Sequence, residues 1–268
     1  VYTHQLYAGF GHKQFGELTY GNMVTITDEV KQSDLANTYS LTDGLLETSA
    51  RRVTQYVYNG DYGSNKVKFG AYYGGSSKRN IKNVDLKNNR KNTWGTGLIF
   101  NHEIDSIQNV TVAAGFTRQI SENANKTAYY SNAYALGLAY NFVHTTYGLD
   151  LAHKDTKNKG GAGNKVKNNE VTAVIRQGLN EDWNVYAMYS YKTEKTLPAG
   201  SAYSKSTDRQ FLVGTEYYVF KQGSVKVKPF IEWQATRTKY ENTFDKDSGK
   251  QLDRSRDFKT VIGLRAYW

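Results

Sequence analysis

Between Met23 and Ala50 the chain reads MVTITDEVKQSDLANTYSLTDGLLETSA, with five carboxylates, Asp28, Glu29, Asp34, Asp43 and Glu47, and one cation, Lys31. The double cation Arg51-Arg52 follows at once. Carboxylates and guanidinium groups facing each other across a narrow gap make and break no bonds. They set up a field that orients dipolar solutes and selects ions, more strongly where water is limited. Taken alone, the stretch reads equally well as an exposed acidic loop. Catalysis has less to stand on. The histidines are His4, His12, His102, His144 and His153. Strand alternation puts Asp150 and His153 on opposite faces and His144 in a tight turn, so neither histidine is set up as a general base. No HExxH, GxSxG or Walker-type pattern occurs, and GGAGN at 160–164 sits in a long loop rather than at a strand–helix junction. There is no cysteine for a disulfide or a thiolate metal site. The reading is of no enzyme, no cofactor and no metal.

The elements that must hold these charges are strands. Period-two runs bounded by Gly, Asn, Asp and Lys clusters predict about thirteen of them. They fall at roughly 3–11, 15–22, 51–59, 66–75, 92–103, 109–120, 131–143, 145–155, 169–179, 182–194, 208–220, 224–240 and 256–268. Their connections alternate in length. HKQ, GDYGSN, DSIQ, the His144 junction, EDW and KQG are short; the acidic stretch, GSSKRNIKNVDLKNNRKN, SENANKTAYYS, TKNKGGAGNKVKN, TLPAGSAYSKSTD and ENTFDKDSGKQLDRS are long. Antiparallel strands crossing a slab, with tight turns on one side and long loops on the other, produce this sorting, as in outer-membrane barrels. A soluble sandwich has no reason to sort its loops so.

The strand faces agree. Val110, Val112, Ala114 and Phe116 oppose Thr111, Ala113, Gly115 and Thr117; Tyr134, Leu136, Leu138, Tyr140 and Phe142 oppose Ala135, Gly137, Ala139 and Asn141. Val225, Val227, Ile231 and Trp233 oppose Lys226, Lys228, Glu232 and Gln234, with Phe230 an exception on the polar face and Pro229 forfeiting a ladder bond. A bulge there would accommodate both. Aromatic residues near strand ends, Trp94, Tyr140, Trp183, Tyr217, Trp233, Tyr267 and Trp268, fit interfacial girdles. Alternation places the cations Lys66, Lys68, Arg176, Lys226, Lys228, Lys259 and Arg265 on the wet inner face, with the anions Asp150, Glu216 and Glu232.

Composition bounds the class. No apolar run approaches the roughly 20 residues of a membrane helix, and the mean hydropathy is −0.69. Neither excludes a membrane barrel, whose alternating faces average out. The net charge of +10 implies anionic neighbours: nucleic acid, lipopolysaccharide phosphates or anionic solutes. The lysine-rich KRNIKNVDLKNNRKN could meet nucleic-acid phosphates. It reads more simply as a solvated extracellular loop near lipopolysaccharide, so no nucleic-acid partner is expected. Parity adds a constraint. Thirteen alternating strands leave the first and last parallel, and an open edge in lipid is costly. Together with a start at Val1, this reads as a processed or truncated chain with an odd number of strands missing ahead of it.

YAGFGHKQFGELTYGN, the long acidic loop, RRVTQYVYN and the ending VIGLRAYW together resemble the general diffusion porins of the Gram-negative outer membrane, in flavour those of the Haemophilus and Pasteurella branch. The resemblance spans essentially the whole chain and begins at the family's fourth strand. It implies an all-β, antiparallel transmembrane β-barrel of the 16-stranded type, of which 1–268 is a single domain, assembling as a homotrimer in the bacterial outer membrane. Residues 23–50 take the place of the loop that folds inward and narrows the pore, with Arg51 matching a wall arginine and Arg52 beside it. Two features depart from the family: Asn22 stands where many relatives have Arg, and the loop lacks their Pro-Glu-Phe-Gly-Gly segment. The expected function is passive diffusion of small hydrophilic solutes and ions, with a mild lean toward anions. The alternative is a substrate-selective channel for acidic sugars or other anionic solutes.

Overall fold

The computed structural model describes residues 5–77, 89–123, 126–159, 164–198, 203–242 and 251–268. His4, most of the lysine-rich loop 75–92 and most of GGAGN lie outside the described residues. Strand segments follow one another as β1 Leu6–His12, β2 Gly16–Val24, β3 Ser49–Tyr62, β4 Asn65–Gly74, β5 Asn89–Asp105, β6 Gln108–Asn123 and β7 Lys126–Phe142. They continue as β8 Thr145–Asn158, β9 Lys165–Gly178, β10 Trp183–Leu197, β11 Ser204–Tyr217, β12 Phe220–Gln222, β13 Val225–Asn242 and β14 Gln251–Tyr267. All join one antiparallel sheet in sequence order, and β11 and β12 both pair with β13. The wall therefore has thirteen positions, as the alternation predicts. β1 and β14 run in the same direction, and the outer edge of each has no strand partner among the described residues.

The exception at Pro229 and Phe230 resolves on the neighbouring strand. Residues 217–219 face only residues 228 and 229, so the extra residue sits between β11 and β12, while β13 keeps regular register with β14. Pro229 thus lies opposite a ladder break, where a missing N–H costs least. The Phe230 ring closes over Gly263.

The sheet is apolar on its outer face. Phe69, Leu98, Val112, Leu136, Val171, Ile175, Phe211 and Ile231 are all exposed there, while their alternate neighbours point inward. A continuous exposed apolar belt of this extent is what hydrocarbon, not water, covers. Aromatic clusters bound it. Trp94, Phe116 and Tyr134 meet across β5–β7 as tilted rings with centroids 4.9 and 5.0 Å apart. Six residues lower on β7, about 20 Å along the strand, Tyr140 meets Phe142 and Tyr147. Tyr267 is a correction to the predicted girdle. It pairs opposite Lys226 on the inner face, and its ring receives Lys228 at 5.8 Å.

The inner side curls around residues 25–48, which contain a short 3-10 helix, Ile26–Val30, and otherwise no regular structure. Ile26 packs against Gly70 and Gly97, Val30 against Gly115 and Gly137, and Gln32 against Gly148. Leu41 clusters with Val174, Tyr186, Met188 and Leu212. The backbone at Asn37–Tyr39 is bonded to β13. One short segment can touch β4 through β13 from a single side only if the sheet wraps around it. The inner face is consequently dry wherever the segment lies, which is why Met188 and Leu212, apolar and inward, are fully covered.

Candidate functional site

The segment 25–48 leaves β2 and returns to β3 at a bulge. Gly21 pairs with Val53 and Met23 with Ala50, so Arg51 and Arg52 together oppose Asn22. Arg52 adopts φ 54, in the left-handed region, and its N–H donates to Asn22 Oδ1 at 3.3 Å. Asn22 is thus the acceptor that holds the bulge. Arg90 donates to the Arg51 carbonyl from β5.

Four apolar side chains seat the segment, Ile26, Val30, Leu41 and Leu46, each less than a tenth exposed. Burying such side chains contributes about 1.5–3 kcal/mol apiece. Close approach is possible because the wall beneath lacks side chains. Gly70, Gly97 and Gly115 are direct cross-strand partners, and a Cβ at Gly137 would collide with the Val30 carbonyl. Inward glycines in strands mark this kind of backbone approach.

Wall carboxylates then capture the segment's backbone. Asp150 on β8 accepts the Gln32 N–H at 2.9 and 3.0 Å, the Ser33 N–H at 2.8 Å and the Ser33 hydroxyl at 2.6 Å. Glu170 on β9 accepts the N–H groups of Asp43 at 2.7 Å and Gly44 at 3.0 Å. Glu232 on β13 accepts three consecutive N–H groups, from Asn37, Thr38 and Tyr39, and the Tyr186 hydroxyl at 2.7 Å. Beside it, fully buried Glu216 receives Asn37 Nδ2 at 2.8 Å, Lys228 Nζ at 2.5 Å and Arg176. Gln55 completes the set, its Oε1 accepting the Ile26 N–H at 2.7 Å. Hydrogen bonds to an ionised acceptor are roughly twice as strong as neutral ones, so an otherwise irregular segment is held at defined points along its length.

The segment's own carboxylates pair with lysines. Asp28 and Asp34 flank Lys31 at 3.4 and 3.5 Å, Glu29 meets Lys68 at 2.5 Å, Asp43 meets Lys192 at 2.6 Å and Glu47 meets Lys154 at 3.1 Å. Burial pulls the Lys31 pKa down, but the carboxylates of Asp28 and Asp34 outweigh it and hold it above the ordinary lysine value. The sequence placed the facing charge at Arg51-Arg52. Both are exposed, and neither forms an ion pair among the described residues. The structure instead puts Lys154 and Lys192 opposite the acidic segment. Continuing the same alternation along β8–β10 reaches both of them, and Glu170.

The remaining inner cations are dispersed. Lys66 pairs with Glu103 at 2.6 Å near a tight turn, and Lys259 with Asp257 at 3.0 Å. Arg265 lies opposite Lys228, and Lys226 opposite Tyr267. Asp150 and His153 are on opposite faces. His153 Nδ1 bonds Asn169 at 2.7 Å, and its Nε2 lies 3.2 Å from Asp155.

A wall apolar outside and polar inside, crossed within by a tethered segment, defines a transmembrane antiparallel β-barrel of the outer-membrane porin type. The chain belongs to the Gram-negative porin family, whose pattern matches residues 2–230, and its place is the outer membrane. A major outer membrane protein of Pasteurella multocida is 24% identical over 274 residues, covering all of this chain. The chain spans about two thirds (68%) of that relative's length. Among solved structures, in-vitro folded OmpT, an outer membrane protein of Vibrio cholerae, superposes with TM-score 0.65 at 17% identity, covering 95% of this chain and 77% of OmpT. A trimer form of OmpT gives 0.62 at 14% identity, with 95% and 77% covered.

Proposed function

We propose that the protein is a passive diffusion channel for small hydrophilic solutes and ions, a single barrel domain working as a homotrimer amid outer-membrane lipid and lipopolysaccharide. The segment 25–48 is its constriction loop. One observation carries this reading: the segment lies inside the wall, tied by Gln55, Asp150, Glu170 and Glu232 from four strands, and so narrows any aqueous path past it. A pore needs a lumen, a size limit and a field, and no catalytic group. The field supports a mild lean toward anions. Each carboxylate of the loop has a lysine within 4 Å, whereas Arg51, Arg52, Lys226 and Arg265 have no carboxylate partner among the described residues.

Planar-bilayer recording tests this. Stable ohmic conductance is expected, with a reversal potential in a salt gradient that favours anions modestly, and Arg51→Glu shifts that potential toward cations without unfolding the barrel. An unmoved reversal potential removes Arg51 from the constriction. Conductance that saturates with one class of anionic solute replaces simple diffusion by a selective channel, and absence of conductance ends both readings.

A further inference from the structure

Lysine is rarely buried as deeply as Lys228 on β13, which is 5% exposed and flanked by the rings of Tyr218 and Tyr267 at 5.5 and 5.8 Å. Its ammonium ends on Glu216 of β11, 1% exposed, with Nζ 2.5 Å from Oε2. The same oxygen accepts Nδ2 of Asn37, a loop residue 6% exposed, at 2.8 Å. An amine, a carboxylate and a carboxamide therefore meet in one enclosed space, with both nitrogens on a single oxygen. Charge pairing between Lys228 and Glu216 requires no carboxamide.

Each partner is held in place. Arg176 and Asn184 Nδ2, the latter at 3.3 Å, occupy Glu216 Oε1 and leave Oε2 to the two nitrogens. Asn37 Nδ2 also donates to the Tyr186 hydroxyl at 2.9 Å, and the Asn37 backbone N–H is bound by Glu232. Groups preset in this way react as if at very high concentration, because the entropy of bringing them together was lost on folding. Burial acts on the chemistry as well. Away from water, an ammonium–carboxylate pair forfeits hydration that a neutral amine and carboxylic acid need far less. The neutral amine is the nucleophile.

We propose that the folded protein forms an isopeptide bond between Lys228 Nζ and Asn37 Cγ, with Glu216 as the proton carrier, joining loop and wall covalently. Glu216 Oε2 takes a proton from the ammonium. The freed lone pair attacks Cγ, whose carbonyl electrons move onto Oδ1. As those electrons return, the Cγ–Nδ2 bond breaks. Glu216 passes the first Nζ proton, and then a second, to the departing nitrogen, which leaves as ammonium. One C–N bond forms and one breaks, charge is conserved, nothing is oxidised and the carboxylate is regenerated. The chain has no cysteine for a disulfide between loop and wall, and the isopeptide supplies a cross-link without one.

Intact-mass spectrometry of the purified protein tests this. Wild type folded in detergent should weigh one ammonia less than its sequence. The same chain kept unfolded in urea should not, because Asn37 and Glu216 are 179 positions apart and meet only on folding. Trypsin should release peptide 32–51 joined to peptide 227–237. Glu216→Gln, Lys228→Arg and Asn37→Ala, checked for strand content by circular dichroism, should each keep the full mass of their sequences. Folded wild type at its full sequence mass overturns the proposal, with no variant needed. Loss of ammonia with 32–51 and 227–237 released apart overturns it too, as does undiminished joining in folded Glu216→Gln. The bond depends on the fold and not on conductance, so a planar-bilayer result leaves this mass measurement decisive by itself.

Discussion

Glu232 shows how much a single side chain carries in this wall. Its carboxylate is fully buried and accepts from three consecutive backbone N–H groups of the loop and from Tyr186. Truncation leaves those donors without an ionised acceptor, at about 1–3 kcal/mol for a buried polar group left unpaired. Glu232→Ala is therefore expected to lower thermal stability and to give larger, noisier single-channel currents, whereas Glu232→Gln keeps one acceptor and shows a smaller change in both. Lys192 provides the electrostatic counterpart. Lys192→Glu sets a carboxylate against Asp43, which now lies 2.6 Å from the lysine ammonium, and the reversal potential should move toward cations. The exposed pairs such as Glu29–Lys68, with both side chains a third or more exposed, are each worth little to stability, so neutralising Lys68 should leave the melting temperature nearly unchanged. Alternation alone put Asp150, Glu216 and Glu232 on the inner face. Their partners could not be read the same way, since Glu232 and Asn37 are 195 positions apart and no local period reports such a contact.

At the scale of elements, the loop and its seat are matched by subtraction. The wall supplies glycines at 70, 97 and 115 where the loop's apolar side chains press in, glycines at 137 and 148 where its backbone comes closest, and carboxylates where it needs acceptors. Gly137→Val fills the space held by the Val30 carbonyl and is expected to lift the 3-10 turn. The readout is an increase in conductance and faster proteolysis within 25–48, with strand content by circular dichroism unchanged. The number, order and facing of the strands were legible, because each has one face in hydrocarbon and the other facing inward, and period two survives any register. Their loop-side ends were not: SENANKTAYYS, read as a long loop, is strand at 121–123 and 126–131. The β11–β12 break was not legible either, since a bulge on one strand leaves its trace as Pro229 on another. Nor was the turn at Arg51-Arg52. A left-handed arginine carries no sequence signal, and the neighbouring charges invited a pairing that the bulge does not make.

For the whole molecule, the inside-out distribution of polarity is what makes this a channel wall. Buried wall carboxylates, a loop anchored to them, an apolar belt between aromatic clusters and a net charge of +10 are parts of one arrangement, with hydrocarbon outside and solvent inside. The protein should accordingly stay dispersed only with an amphiphile, and dilution below the critical micelle concentration should aggregate it, as light scattering would show. The sharpest test places a thiol in the predicted constriction. The chain has no cysteine, so Asp43→Cys introduces a single reactive group on the loop beside Lys192. In a planar bilayer, a bulky charged thiol reagent should produce a persistent stepwise fall in current through open Asp43→Cys channels and leave wild-type channels untouched. Full modification of that thiol with no change in current would contradict a water-filled pore narrowed by this loop.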